Sequence, residues 1–129
     1  MKILAIIPAR MGSSRFPGKP LALINNKPMI GHVYENVSEC KILNRTVVAT
    51  CDQEIEDYIT SIGGEAVMTS NLHERASDRA AEALVFLEKK YKTKYDIVVM
   101  VQGDEPMTEA KMIEEALRPM IEDPSINVV

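Results

Sequence analysis

The feature that most narrows the fold is the run Ile3-Leu4-Ala5-Ile6-Ile7, apolar at every position and stopped by Pro8. A strand with one solvated face alternates apolar and polar residues. An unbroken run suits a strand covered on both faces, as in a parallel sheet between helices. Pro8 cannot donate to a ladder, and Gly12, Ser13, Ser14, Pro17 and Gly18 after it are all turn formers. The first strand therefore feeds a long loop.

The rest of the chain alternates strand-like and helix-like segments. Leu21-Ala22-Leu23-Ile24 ends in the turn signal Asn25-Asn26. A helix is expected next, with Pro28 in its first turn and Ile30, Val33, Tyr34 and Val37 on one buried face. Thr46 to Thr50 is β-branched and reads as a second buried strand. Ile55, Tyr58, Ile59 and Ile62 repeat the helical spacing until Gly63-Gly64 stops it. Glu65 to Thr69 is a third strand. From Ser77, the residues Ala80, Ala83, Leu84, Leu87 and Tyr91 share a helical face, and Asp96 to Val101 is a fourth strand. Thr108 is expected to cap a last helix whose Met112, Ile113, Ala116, Leu117, Met120 and Ile121 face inward. This rhythm predicts one α/β domain over residues 1–129, a doubly wound, mostly parallel sheet of Rossmann-like type. Ser125-Ile126-Asn127-Val128-Val129 reads as the opening of another strand, so the sheet is expected to be incomplete at its C-terminal end.

Fifteen basic against nineteen acidic residues give a net charge of −4, which argues against general affinity for nucleic acid or an anionic membrane. An anionic ligand must then be held by local cations. Screening over roughly 8 Å at physiological salt leaves distant acids hardly felt. The apolar stretch before Pro8 is too short for a signal peptide or a membrane span. Cys40 and Cys51 lack metal-type spacing and fit a reducing compartment better than a disulfide framework. A cytoplasmic protein is expected.

The loop after the first strand carries Arg10, Arg15 and Lys19 among small residues. Cations with outward-facing amides and hydroxyls suit a polyphosphate. The competing reading is a solvated loop with ordinary charges, but α/β sheets bind ligands at the carboxyl ends of their strands. Neither GxxxxGK[ST] nor GxGxxG occurs, so the P-loop and dinucleotide folds are unsupported. Arg15 suits either a phosphate contact or a carboxylate partner that pins the loop. Gln102-Gly103-Asp104-Glu105-Pro106 stands at the end of the fourth strand. Asp104 there suits either a magnesium ligand or an ordinary turn residue, and the Gln102 amide suits a hydroxyl or carboxylate. Asp78 equally fits a helix first turn for dipole reasons.

The segment IIPARMGSSRFPGKPL, followed in order by KPMIGHVYE, VVATCDQEI, IGGEAVMTS and VVMVQGDEPM, resembles the 3-deoxy-manno-octulosonate cytidylyltransferases, the CMP-Kdo synthetases, across nearly all 129 residues. The resemblance implies a Rossmann-like nucleotidyltransferase fold. It also implies a magnesium-dependent enzyme that transfers CMP from CTP to a 2-keto-3-deoxy sugar acid, releasing pyrophosphate, for lipopolysaccharide or other surface polysaccharide. By that resemblance Ala9, Arg10, Ser13, Ser14, Arg15, Lys19, Ala76 and Ser77 bind the nucleotide. Arg10 and Lys19 meet the triphosphate and, with the metal aspartate Asp104, form the catalytic set, while Arg79 and Gln102 face the sugar.

The family's loop His-Gln-Ser-Gly-Thr-(Asp or Glu)-Arg stands here as His73-Glu74-Arg75-Ala76-Ser77-Asp78-Arg79. The replaced glycine matters most, because glycine tolerates close approach and positive φ and alanine does so only at a cost. The acceptor is thus open between a Kdo-like acid and an amino-substituted or nine-carbon one. Family members continue for roughly as long again. Residues 1–129 are therefore expected to be a nucleotide-binding half, with a second metal aspartate and much of the sugar pocket beyond Val129, and a homodimer at full length. The rival of another class is a catalytically silent nucleotide-binding module.

Overall fold

The computed structural model describes residues 2–11, 19–70, 75–101 and 110–122. In chain order they form β1 (Ile3–Pro8), a 3-10 turn (Lys19–Leu21), β2 (Leu23–Ile24), β3 (Lys27–Pro28), α1 (Met29–Ser38), β4 (Arg45–Thr50), α2 (Gln53–Ser61), β5 (Ala66–Met68), α3 (Ala76–Lys90), β6 (Ile97–Met100) and α4 (Ala110–Glu122). Four strands make one parallel sheet in the order β5-β4-β1-β6, with Ile6 opposite Val47 on one side and Met100 on the other.

All six residues of β1 are buried, as its unbroken apolar run predicts. Because successive side chains point to opposite faces, the strand serves two cores. Ile3, Ala5 and Ile7 pack with Ile30, Val33 and Val37 of α1, Ile55 and Ile59 of α2, and Ile113 and Leu117 of α4. Leu4 and Ile6 pack with Val47, Ala49 and Val67 and with Ala80, Ala83 and Leu87 of α3. Each large aliphatic side chain so buried contributes about 1.5–3 kcal/mol. The sheet is doubly wound.

The Asn25-Asn26 signal becomes a two-residue hairpin between β2 and β3, with φ of 52° and 65° at the two asparagines. Positive φ at both central residues is the primed turn whose twist matches its strands. His32 holds the hairpin against α1, its Nε2 donating to the Ile24 carbonyl at 2.6 Å. At the end of α2, the Gly63 N–H donates to the Thr60 carbonyl and the Gly64 N–H to the Ile59 carbonyl, with Gly63 at φ 81°. That double bond pattern is a Schellman stop.

Three expectations are corrected at element ends. Pro28 precedes α1 as its cap residue, at φ −54° and ψ 142°, and does not enter the first turn. Ile62 and Tyr91 lie just past their helices and are 37% and 38% exposed, since the helical face no longer carries them inward. In α4, Ile113 and Leu117 are buried, whereas Met112 is 54% exposed and Ala116 is exposed. This helix packs on α1 beside the last described strand of the sheet, so only a narrow i,i+4 line is covered. Thr108 and the side chains of Met120 and Ile121 lie outside the described residues.

The strand order also reverses once. From β1 the chain proceeds outward through β4 to β5, then returns to β6 on the other side of β1. The order of the strands thus reverses between β1 and β6, and the segments that follow both start at the same carboxyl edge. That reversal is where open α/β sheets take their ligands.

Candidate active site

Three segments meet the carboxyl edge of the sheet, and each is positioned by backbone pairing that outlasts its strand. After β1, the buried Ala9 donates its N–H to the Ala49 carbonyl at 3.0 Å, extending the ladder by one residue. Arg10 follows and is exposed. The Met11 N–H then donates to Asp52 Oδ2 at 2.7 Å. After β6, the Val101 N–H donates to the Ile6 carbonyl at 3.0 Å and brings the chain to the edge beside β1. Gln102 and Asp104 come next in sequence but lie outside the described residues, as do Ser13, Ser14 and Arg15. Lys19 opens the 3-10 turn, and its side chain is also outside the description.

The third segment follows β5. The Thr69 N–H donates to the Thr50 carbonyl at 2.9 Å, and the Ser70 N–H reaches both Glu82 carboxylate oxygens at 3.2 Å. Arg79, expected to face the sugar, is only 3% exposed. Its Nη1 donates to Thr69 Oγ1 at 2.6 Å and to the Ser70 carbonyl at 3.3 Å. A buried guanidinium needs acceptors close at hand, and the end of β5 supplies them. Arg79 and Glu82 thus tie α3 to the strand end.

Ala76 and Ser77 are the first two residues of α3, with Asp78 in its first turn and Lys89 and Lys90 in its last. The conformational cost expected at Ala76 does not arise. Among the described non-glycine residues only Asn25, Asn26 and Lys92 have positive φ, and alanine is the best helix former. The charges of α3 follow its dipole. α2 opens three residues after the end of β4 and α3 is the next element after β5, so both helices present their positive dipole ends toward the carboxyl edge of the sheet, where Arg10 also lies.

Sequence reasoning did not single out Asp52. Its local signal is that of a helix cap, an aspartate directly before α2, yet its side chain makes no capping bond. Among the described residues no group of three or more His, Cys, Asp or Glu could hold a metal, and no helix is long and apolar enough to cross a membrane. Both cysteines are free thiols. Burial pushes the Cys40 thiol up from its ordinary value. That removes it as a ready nucleophile.

This architecture is the α/β nucleotidyltransferase fold. Residues 4–128 match the profile of the cytidylyltransferases, and the chain belongs to that family. It is 48% identical over 128 residues to the 3-deoxy-manno-octulosonate cytidylyltransferase of Trichlorobacter lovleyi, covering 99% of this chain and 48% of that protein. The enzyme of the same name from Geotalea uraniireducens is 48% identical over 126 residues, with 98% and 48% covered. Among solved structures, a CMP:2-keto-3-deoxy-manno-octonic acid synthetase complexed with CTP superimposes with a TM-score of 0.88 at 42% identity, covering 98% of this chain and 50% of that one. A cytidylyltransferase from Leptospira borgpetersenii gives 0.75 at 27% identity, with 95% and 50% covered. The chain spans about half the length of the relatives it matches.

Proposed function

We propose that the chain is the nucleotide-binding half of a 3-deoxy-manno-octulosonate cytidylyltransferase, which transfers CMP from CTP to a Kdo-like sugar acid for surface polysaccharide synthesis. The observation that carries this reading is the likeness, over 98% of the chain, to a synthetase solved with CTP. In the reaction the sugar's anomeric hydroxyl attacks the α-phosphorus, the α–β phosphoanhydride bond breaks, and pyrophosphate leaves. Positioning and electrostatics do most of the work in such a transfer. Arg10 and Lys19 neutralise the triphosphate, and Ser13 and Ser14 donate hydroxyls to it, with Arg15 beside them. Ala9, Ala76 and Ser77 line the nucleotide from the ends of β1 and the start of α3. Gln102 meets the sugar acid, and Arg79 supports that side by holding Thr69 and Ser70.

Magnesium would be held by Asp104. One carboxylate beside a chain of phosphate oxygens fits an ion that takes few protein ligands and keeps water and phosphate for the rest. When bound, it supplies charge neutralisation on the triphosphate. The full-length protein is a cytoplasmic homodimer in this proposal.

The test is pyrophosphate release with CTP, magnesium and a panel of eight- and nine-carbon sugar acids. It is run on the chain extended to the length of its relatives and on the 129 residues alone. The expected result is turnover with the Kdo-type acid by the extended chain and none by the shorter one, which lacks an acceptor site to orient the hydroxyl. Turnover restricted to a nine-carbon or amino-substituted acid would change the acceptor. Comparable turnover from both lengths would contradict the half-enzyme assignment.

A further inference from the structure

The chain leaves the sheet after β1 in an unusual way. In the β1–β4 register, with Pro8 opposite Ala49 and the Ala9 N–H on the Ala49 carbonyl, the next ladder bond would run from the Met11 N–H to the Cys51 carbonyl. The Met11 N–H goes instead to Asp52 Oδ2 at 2.7 Å, across 41 residues of sequence. A carboxylate therefore takes the place of a backbone carbonyl at the point where the sheet ends. Charge-assisted bonds of this kind are shorter and stronger than amide–carbonyl bonds.

Asp52 is itself held for this task. Its N–H donates to Oγ1 of the fully buried Thr50 at 3.1 Å, and its carbonyl accepts the Glu56 N–H at 3.2 Å in the first turn of α2. The Cys51 thiol lies 3.8 Å from the same Oδ2. An aspartate in this position ordinarily caps its own helix, and this one does not. The consequence falls on Arg10, whose side chain is exposed while the amides on either side of it are anchored, Ala9 to β4 and Met11 to Asp52.

We infer that Asp52 is a positioning residue for the phosphate loop: by bonding the Met11 amide it fixes the backbone from which Arg10 reaches the triphosphate. This rests on the assignment of Arg10 to the phosphates made above. Asp52 does not touch the nucleotide. Its removal leaves the charge of Arg10 in place but lets its direction vary, and the loss is felt where several phosphates must be met at once.

The experiment measures calorimetric affinities of the 129-residue chain for CTP and for CMP, with amide hydrogen exchange at Met11 and thermal stability, in the parent and in Asp52→Ala, Asp52→Asn and Arg10→Ala. Asp52→Ala should unprotect the Met11 amide and weaken CTP about tenfold while CMP changes little, as for a lost bond to a charged acceptor. Asp52→Asn, whose Oδ1 still accepts, should stay within about threefold of the parent. If Arg10→Ala loses CTP affinity but Asp52→Ala does not, the inference is overturned and the phosphate assignment stands. If Arg10→Ala leaves CTP affinity unchanged, or the parent binds no CTP, the phosphate assignment falls and takes the inference with it. Should Asp52→Ala unfold, Asp52→Asn decides: an unprotected Met11 amide with CTP affinity equal to the parent's would overturn the inference, whereas protection and affinity kept together, or lost together, would bear it out.

Discussion

Arg10 is exposed, yet it sits between two amides whose partners are known, so its proposed contact with phosphate can be tested apart from its structural worth. Its side chain buries little, so Arg10→Ala in a full-length enzyme should lower kcat/KM by about 10²-fold, the cost of a lost preorganised contact to developing charge. Its thermal midpoint should stay close to that of the parent. Lys19→Ala should behave alike, and near-normal kinetics in both variants would remove the phosphate loop from the chemistry. The cations were legible in the sequence because local composition betrays them, three positive side chains among glycine, serine and proline after a buried strand. The bonds that Asp52 and Arg79 make were not legible in the sequence. The Asp52–Met11 bond joins residues 41 apart, and the Arg79–Thr69 bond joins residues 10 apart. Neither partner can be read from spacing. Short-range rules gave no reason to single out Asp52, and the motif that named Arg79 says nothing of its bond to Thr69.

At the scale of elements, periodicity and turn chemistry carried most of the fold, because the strands of the main sheet are almost wholly apolar or β-branched and the helices each have one repeated stripe. The stop at Gly63 is the sharpest instance. Its φ of 81° lies in the left-handed region, and a Cβ there would meet nothing within 4 Å, so substitution costs backbone strain alone. Gly63→Ala should lower unfolding stability in urea by about 1 kcal/mol, and Gly63→Asn by less, since asparagine tolerates this conformation. Equal stability of Gly63→Ala and the parent would mean the α2 stop does not depend on the left-handed residue. Gly64 differs in kind: a Cβ there would come within 2.8 Å of both Ile59 and the Tyr34 ring, so its constraint is packing. What periodicity missed was the width of the covered stripe. Met112 and Ala116 follow the helical pattern but face solvent, because how far a neighbour extends over a helix is a property of the sheet and not of the helix.

Across the whole molecule, the two edges of the sheet differ in how their strand ends are closed. At the amino edge side chains stitch the chain shut: the Ile3 N–H donates to Asn44 Oδ1 at 2.7 Å, the Lys2 N–H to Asp96 Oδ2 at 2.7 Å, and Arg45 pairs with Glu65 at 2.5 Å beneath the Tyr91 ring. At the carboxyl edge the order of the strands reverses between β1 and β6, and the cations, helix N-termini and acidic residues that the proposed reaction needs all follow in sequence from strands ending there. The measurement that tests this most directly is a titration of the 129-residue chain with CTP, followed by amide chemical shifts. The account predicts that Ala9, Arg10, Met11, Ala76, Ser77 and Val101 move together while Lys2, Asn44 and Asp96 stay still. Shifts gathered at the amino edge, or none at millimolar CTP, would contradict it.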